Sequence, residues 1–142
     1  MLLAVQSGDY SHCLHMESTS TRPPEFQAYV GRVRLLGTGI SGIALLARFT
    51  DSQVDEHYAR HKVEYQEYGM TEIKLNRMLA QTRAADFAYV NQRGIAGVGI
   101  CLEIGSCGRA GLNVASRASD LPRARAPAIA ALMREHMDRL CL

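Results

Sequence analysis

The 142-residue chain has the size of one domain, long enough to bury a core without covalent staples. Its 47% hydrophobic and 21% charged residues exclude a disordered chain, and a net charge of +2 with interspersed signs argues against a nucleic-acid surface. Four cysteines at Cys13, Cys101, Cys107 and Cys141 fit no secreted disulfide scaffold.

The start, Met1-Leu2-Leu3-Ala4-Val5, has no basic n-region, and no stretch approaches the ~18 apolar residues of a membrane span. A cytoplasmic, reduced protein with no membrane partner is expected. Of sixteen basic residues only Lys62 and Lys74 are lysine, an arginine bias pointing to a GC-rich bacterial coding sequence.

Residues 6–25 are rich in Ser, Thr, His and Pro, so 1–25 reads as a polar N-terminal arm or loop and 26–142 as a single α+β domain. From Phe26 to Leu36, Val33 and Leu35 alternate with Arg32 and Arg34, the pattern of a half-buried strand. Ile40 to Phe49 is almost wholly apolar, and its periodicity fits a buried strand or a buried helix. Asp51 and Ser52 suit a helix cap, and Val54, Tyr58, His61, Tyr65 and Tyr68 form a helical stripe that Gly69 ends.

Leu75, Met78, Leu79 and Thr82 favour a further short helix. Asp86–Val90, Ile95–Ile104 and Ala110–Ser116 read as strands joined by Asn91–Gly94 and by Gly105–Gly108. Pro127 suits the first turn of a terminal helix with Ile129, Leu132, Met133, His136 and Leu140 on one face. Glu135 and Arg139 form an i,i+4 pair on its other face.

The order strand-strand-helix-helix-strand-strand-strand-helix implies an α+β fold: a five-stranded antiparallel sheet with helices on one face. By order of elements alone this resembles the PAS, profilin and roadblock folds, which implies ligand sensing or dimerisation. The alternative is a small Rossmann-like α/β fold, raised by Gly37-Thr38-Gly39-Ile40-Ser41-Gly42. That G-x-G-x-x-G follows an apolar run, and Glu64 lies near the distance of a ribose-binding acid. Against it, Arg32 and Arg34 alternate on a strand that a parallel sheet would bury on both faces. A Gly-Thr-Gly hairpin turn is the favoured reading, and a helix over Ile40–Phe49 would favour the nucleotide enzyme.

Other residues bear on chemistry. His57 and His61 stand one helical turn apart, with Glu64 a turn further, a spacing that can chelate a divalent metal. Position 58 is Tyr, which breaks the His-Glu-x-x-His pattern. Tyr58, His61, Tyr65 and Tyr68 suit a ligand pocket or partner face, since polar-tipped aromatics seek hydrogen bonds. His12, Cys13 and His15 are soft donors without a complementary pair, and Cys101 and Cys107 flank a turn without an evident base.

The leading expectation is a regulatory module without catalysis or cofactor. It would form a homodimer and bind a small apolar or aromatic ligand at Tyr58, His61, Tyr65 and Tyr68, with no nucleic acid. The alternatives are a dinucleotide-dependent oxidoreductase using Gly37, Gly39, Gly42 and Glu64, and a metal-dependent enzyme using His57 and His61.

Overall fold

Alternation along the two longest strands sets the architecture of the chain, which a computed structural model describes over residues 1–18, 30–106 and 108–140. The strands are β1 (Leu2–Ser7), β2 (Tyr10–Met16), β3 (Val33–Leu35), β4 (Ala88–Gln92), β5 (Ile95–Glu103) and β6 (Arg109–Arg117). The helices are α1 (Ile40–Leu46), α2 (Asp51–Arg60), α3 (Lys62–Tyr68), α4 (Glu72–Ala85) and α5 (Ala126–Leu140). The strands form one sheet in the order β3-β2-β1-β6-β5-β4. Every neighbouring pair is antiparallel, which rules out the doubly wound α/β alternative.

Among the described residues the sheet has six strands where five were expected: the expected strand within Ile40–Phe49 is a helix, and residues 2–16 form a two-stranded hairpin and not a polar arm. Their polarity misled. β2 buries only Ser11 and Cys13, yet β1 runs between β2 and β6 in the sheet interior. Residues 19–25 of the expected arm and 26–29 of the expected strand lie outside the described residues.

β5 shows how the two faces divide. Ala96, Val98 and Ile100 pack in one core with Leu112, Ala126, Ala130 and Met133 of β6 and α5. Cys101, on the opposite face, joins the other core with Leu36, Ile43, Leu45, Leu46, Val54, Tyr65, Leu75 and Leu79. Helices therefore cover both faces, not one. The α5 face also differs from the sequence reading: Ala126, Ala130 and Met133 are buried, while Leu132 and Leu140 are exposed. The Glu135–Arg139 pair forms.

On the Cys101 face α1 sits unusually close to the sheet. A Cβ at Gly99 would stand 2.7 Å from Cγ2 of Ile40, and one at Gly111 2.7 Å from Cβ of Ser41. Glycines on the sheet thus leave room for the helix to lie against it. The stretch Ile40–Phe49 is resolved as helix over 40–46, with Ser41 to Leu46 all buried, so no polar stripe marks its period.

The expected helix from Val54 to Tyr68 is two helices that break at His61, whose φ of −117° and ψ of 24° leave the helical region. Its start lies one residue earlier than expected. The Thr50 side chain accepts from the Gln53 amide and Gln53 reciprocates, a capping box. Gly69, at φ 83°, ends α3 as expected. α4 buries Leu75, Leu79 and Thr82, the face read from the sequence.

Candidate functional site

The face carrying α1 holds a groove of about 250 Å³. Every strand contributes to it: Arg34 from β3, Ser11 and Cys13 from β2, Leu2 and Ala4 from β1, Asn113 and Ala115 from β6, Ile95 from β5, Val90 and Gln92 from β4. The turn and first residues of α1, Thr38 to Gly42, form its rim. The register explains the convergence: Arg34 pairs with Ser11, Cys13 with Ala4, and Leu2 with Asn113. Paired residues share a face in an antiparallel ladder, so side chains distant in sequence point into one space.

The groove is mixed in character. Leu2, Ala4, Ile40, Val90 and Ile95 give an apolar lining, while Ser11, Thr38, Ser41 and Asn113 bring polar groups. Several of these are fixed. Asn113 donates to Ser41 Oγ at 2.7 Å, both residues buried. Thr38 donates to the Leu35 carbonyl at 2.6 Å. Arg34 supplies a cation at the rim. Its guanidinium lies over Gly39, with Nη1 3.0 Å from the place a Cβ would occupy. Gly39 also has φ 75°, and this backbone conformation is what calls for glycine, since the tip of Arg34 can move aside.

The glycine motif is thus a strand-turn-helix joint and not the favoured hairpin. Helix over Ile40 was expected to favour a nucleotide enzyme, but the antiparallel pairings remove the setting that reading needs. Gly37, at φ 85°, packs under Tyr65: a Cβ there would lie 2.5 Å from the tyrosine oxygen. Gly42 lies against the Gly37 amide. Glu64 sits on α3, where it accepts from Tyr10 at 3.2 Å and stands 3.3 Å from His61 Nδ1, so it does not close a strand as a ribose-binding acid would.

The residues expected to line a pocket are divided by the structure. Tyr58 and Tyr65 are buried and stacked on each other, with ring centroids 5.0 Å apart, and belong to the core. Tyr68 is exposed and reaches the groove. His61 stands elsewhere, beside His57 and Asp9.

That second constellation was half visible in the sequence. α2 carries His57 and, at its end, His61; the turn between β1 and β2 brings Asp9 to them. Asp9 lies nearly fifty residues away in sequence, so no spacing rule points to it. Arg60 binds its carboxylate through Nε at 3.0 Å and Nη2 at 3.1 Å, and this guanidinium, with His61, holds the carboxyl well below the usual carboxylate range. Its own backbone is tied as well, the Asp9 carbonyl accepting from the Leu36 amide at 2.9 Å. His57 is fully buried, and burial pushes its imidazole below its ordinary value despite the carboxylate nearby.

The remaining candidates stay apart. His15 pairs with Glu17 at 2.7 Å, and Cys13 faces the groove, its thiol pushed up by burial. Among the described residues, Asp9, His57 and His61 form the one triple of metal-ligating side chains. Cys101 is a buried, free thiol raised by burial, which does not favour a nucleophile. Cys107 and Cys141 lie outside the described residues. No described helix is long and apolar enough to cross a membrane.

No protein-family model and no curated protein sequence matches this chain. Solved structures do, and those similar to it include transcriptional regulators, several of them named IclR. The repressor BlcR of Agrobacterium tumefaciens superposes with a TM-score of 0.75 at 15% identity, covering 98% of this chain and 56% of its own. IclR of Thermotoga maritima gives 0.73 at 17%, covering 94% and 56%. The effector domain of an IclR regulator from Acinetobacter sp. ADP1 gives 0.65 at 16%, covering 83% and 72%. The chain thus spans about half the length of the first two. At these identities the likeness is one of fold, and it replaces the expected likeness to the PAS, profilin and roadblock type.

Proposed function

We propose that this chain is a ligand-sensing regulatory domain that takes a small organic anion with a short apolar body into the groove beneath α1. The observation that carries this reading is the convergence of six strands and the Thr38–Gly42 turn on one space, with Arg34 and Arg32 as its cations and buried polar groups at fixed positions. Concave, mostly apolar sites with a few placed polar groups are the usual form of small-molecule pockets. The shared fold with an effector domain adds support, since that domain matches this chain over 83% of its length.

In this reading Arg34 meets the anionic group, Ser11 and Ser41 hydrogen-bond the ligand, and Tyr68 closes one side. Tyr58 and Tyr65 act through the core. We assign no nucleic-acid contact to this domain itself, whose charges are mixed; the regulators it resembles extend well beyond the matched part. Action in the cytoplasm and self-association belong to the same proposal. The Tyr58/Tyr65 face that suggested a dimer contact is turned inward, so a dimer would use other surface.

The test is a thermal-shift panel of mono- and dicarboxylates of graded size, run on the native chain and on Arg34→Ala. A ligand at a hundred times its Kd stabilises by roughly 2.7 kcal/mol, a shift of several degrees. The reading predicts such a shift for at least one carboxylate, and its loss in Arg34→Ala. Equal shifts in both proteins would place the ligand elsewhere.

A further inference from the structure

We propose that Asp9, His57 and His61 form a divalent-cation site of the zinc class, with Nδ1 of His57, Nε2 of His61 and a carboxylate oxygen of Asp9 as ligands. It is separate from the groove and does not depend on the ligand-sensing reading.

The protons on His57 decide which of its nitrogens can meet a cation. Tyr65 donates to the Leu36 carbonyl, which can only accept. The tyrosine oxygen is then an acceptor, and it lies 2.7 Å from His57 Nε2. Nε2 must therefore carry hydrogen. In the tautomer that carries its hydrogen on Nε2, Nδ1 holds a lone pair. That Nδ1 is fully buried and makes no hydrogen bond. It points at Asp9 Oδ1, 3.4 Å away. A lone pair facing a carboxylate in a buried place is unfavourable unless a cation stands between them.

The second histidine is prepared in the same way. Glu64 Oε1 holds His61 Nδ1 at 3.3 Å, and Tyr10 in turn donates to Glu64. This fixes the ring so that Nε2 faces Asp9 Oδ2, at 2.7 Å. A carboxylate behind a ligating imidazole, and a guanidinium behind a ligating carboxylate as Arg60 is here, are the usual supports of a metal ligand.

The geometry and chemistry agree. Bonds of about 2.0–2.1 Å to nitrogen and oxygen set neighbouring ligand atoms roughly 3.3 Å apart around a tetrahedral zinc. His57 Nδ1 stands 3.4 Å from Asp9 Oδ1 and His61 Nε2 2.7 Å from Oδ2, so a small turn of the carboxyl group brings one oxygen to serve both. All three ligand atoms lie within 4.8 Å of one another. Two imidazoles and one carboxylate suit zinc, cobalt and their neighbours over calcium or magnesium. Asp9 and His61 keep side-chain exposures of 22% and 14%, which leaves a fourth position for water.

The experiment uses the full chain without a polyhistidine tag, stripped with a chelator and titrated with Co²⁺, then Zn²⁺. We expect one Co²⁺ per chain, with the intense visible bands of a low-coordinate ion, and displacement by Zn²⁺. His61→Ala and Asp9→Asn, both at partly exposed positions, should fold by circular dichroism and weaken binding by at least about tenfold. Arg34→Ala and His12→Ala should leave it unchanged. The absence of stoichiometric binding would overturn the proposal, as would binding undiminished in both ligand variants or lost only in His12→Ala. Asp9, His57 and His61 would then be a salt-linked anchor for the β1–β2 turn.

Discussion

The two faces of β5 are made by alternate residues of one strand, yet they do opposite things. Ala96, Val98 and Ile100 close against α5 with nothing exposed. Gly97 and Gly99 give up their side chains so that α1 lies on the sheet and leaves a groove beside it. One face maximises aliphatic contact. The other gives up contact for shape, and the register then gathers polar side chains around that shape.

Substitutions on the two faces should therefore separate stability from binding. Ile100→Ala removes a fully buried side chain from the closed face. It should cost about 3 kcal/mol in urea unfolding, and ligand affinity measured on the folded protein should stay within about twofold. An affinity loss in step with stability would join the faces into one unit.

Gly99→Ala sets a methyl 2.7 Å from Ile40 Cγ2 and 3.2 Å from the Ile40 carbonyl oxygen. It should cost about 2 kcal/mol and, by lifting the start of α1, also abolish ligand-induced stabilisation. Retained ligand binding would show that the close helix contact serves packing alone.

Tyr65→Phe takes one partner from His57 and the donor from the Leu36 carbonyl, both buried. A loss of about 1–2 kcal/mol is expected in the same unfolding measurement. An unchanged midpoint would mean that the Tyr65 hydroxyl contributes nothing net. Arg34→Ala should be the mildest, within about 0.5 kcal/mol of the parent in stability, because Arg34 is only half-buried at the rim.

The sequence was legible where one face of an element is buried and the other is wet. The α4 face shows its period openly, Gly69 marks a stop, and the strands from 88 to 117, buried on both faces along most of β5, were marked by the turns between them. α1 was not legible, because a seven-residue helix buried almost all round has the same apolar run as a buried strand. β1 and β2 were hidden for a different reason: their groove-facing residues, Ser11 and Cys13 among them, line a ligand-sized space and need not be large and apolar. The glycines of 37–42 signalled a tight turn correctly, but a turn before a helix serves packing as readily as phosphate.

The site residues divide likewise. The His57–His61 spacing was visible on one helix, whereas Asp9 joins them only through the hairpin turn. Tyr58 and Tyr65 looked like a pocket wall because their hydroxyls need partners. The fold supplies those partners inside the core, from Met70 and Leu36. Arg34, Ser11 and Asn113 become neighbours through strand register alone, which a single sequence does not display.

The central claim is that the groove beneath α1 is the ligand site, and amide chemical-shift mapping tests it most directly. With a saturating carboxylate identified in the thermal panel, the account predicts the largest shifts at Thr38 to Gly42, Ser11 and Asn113, and little change along α5. Shifts concentrated on α5, with the Thr38–Gly42 amides unmoved, would contradict it.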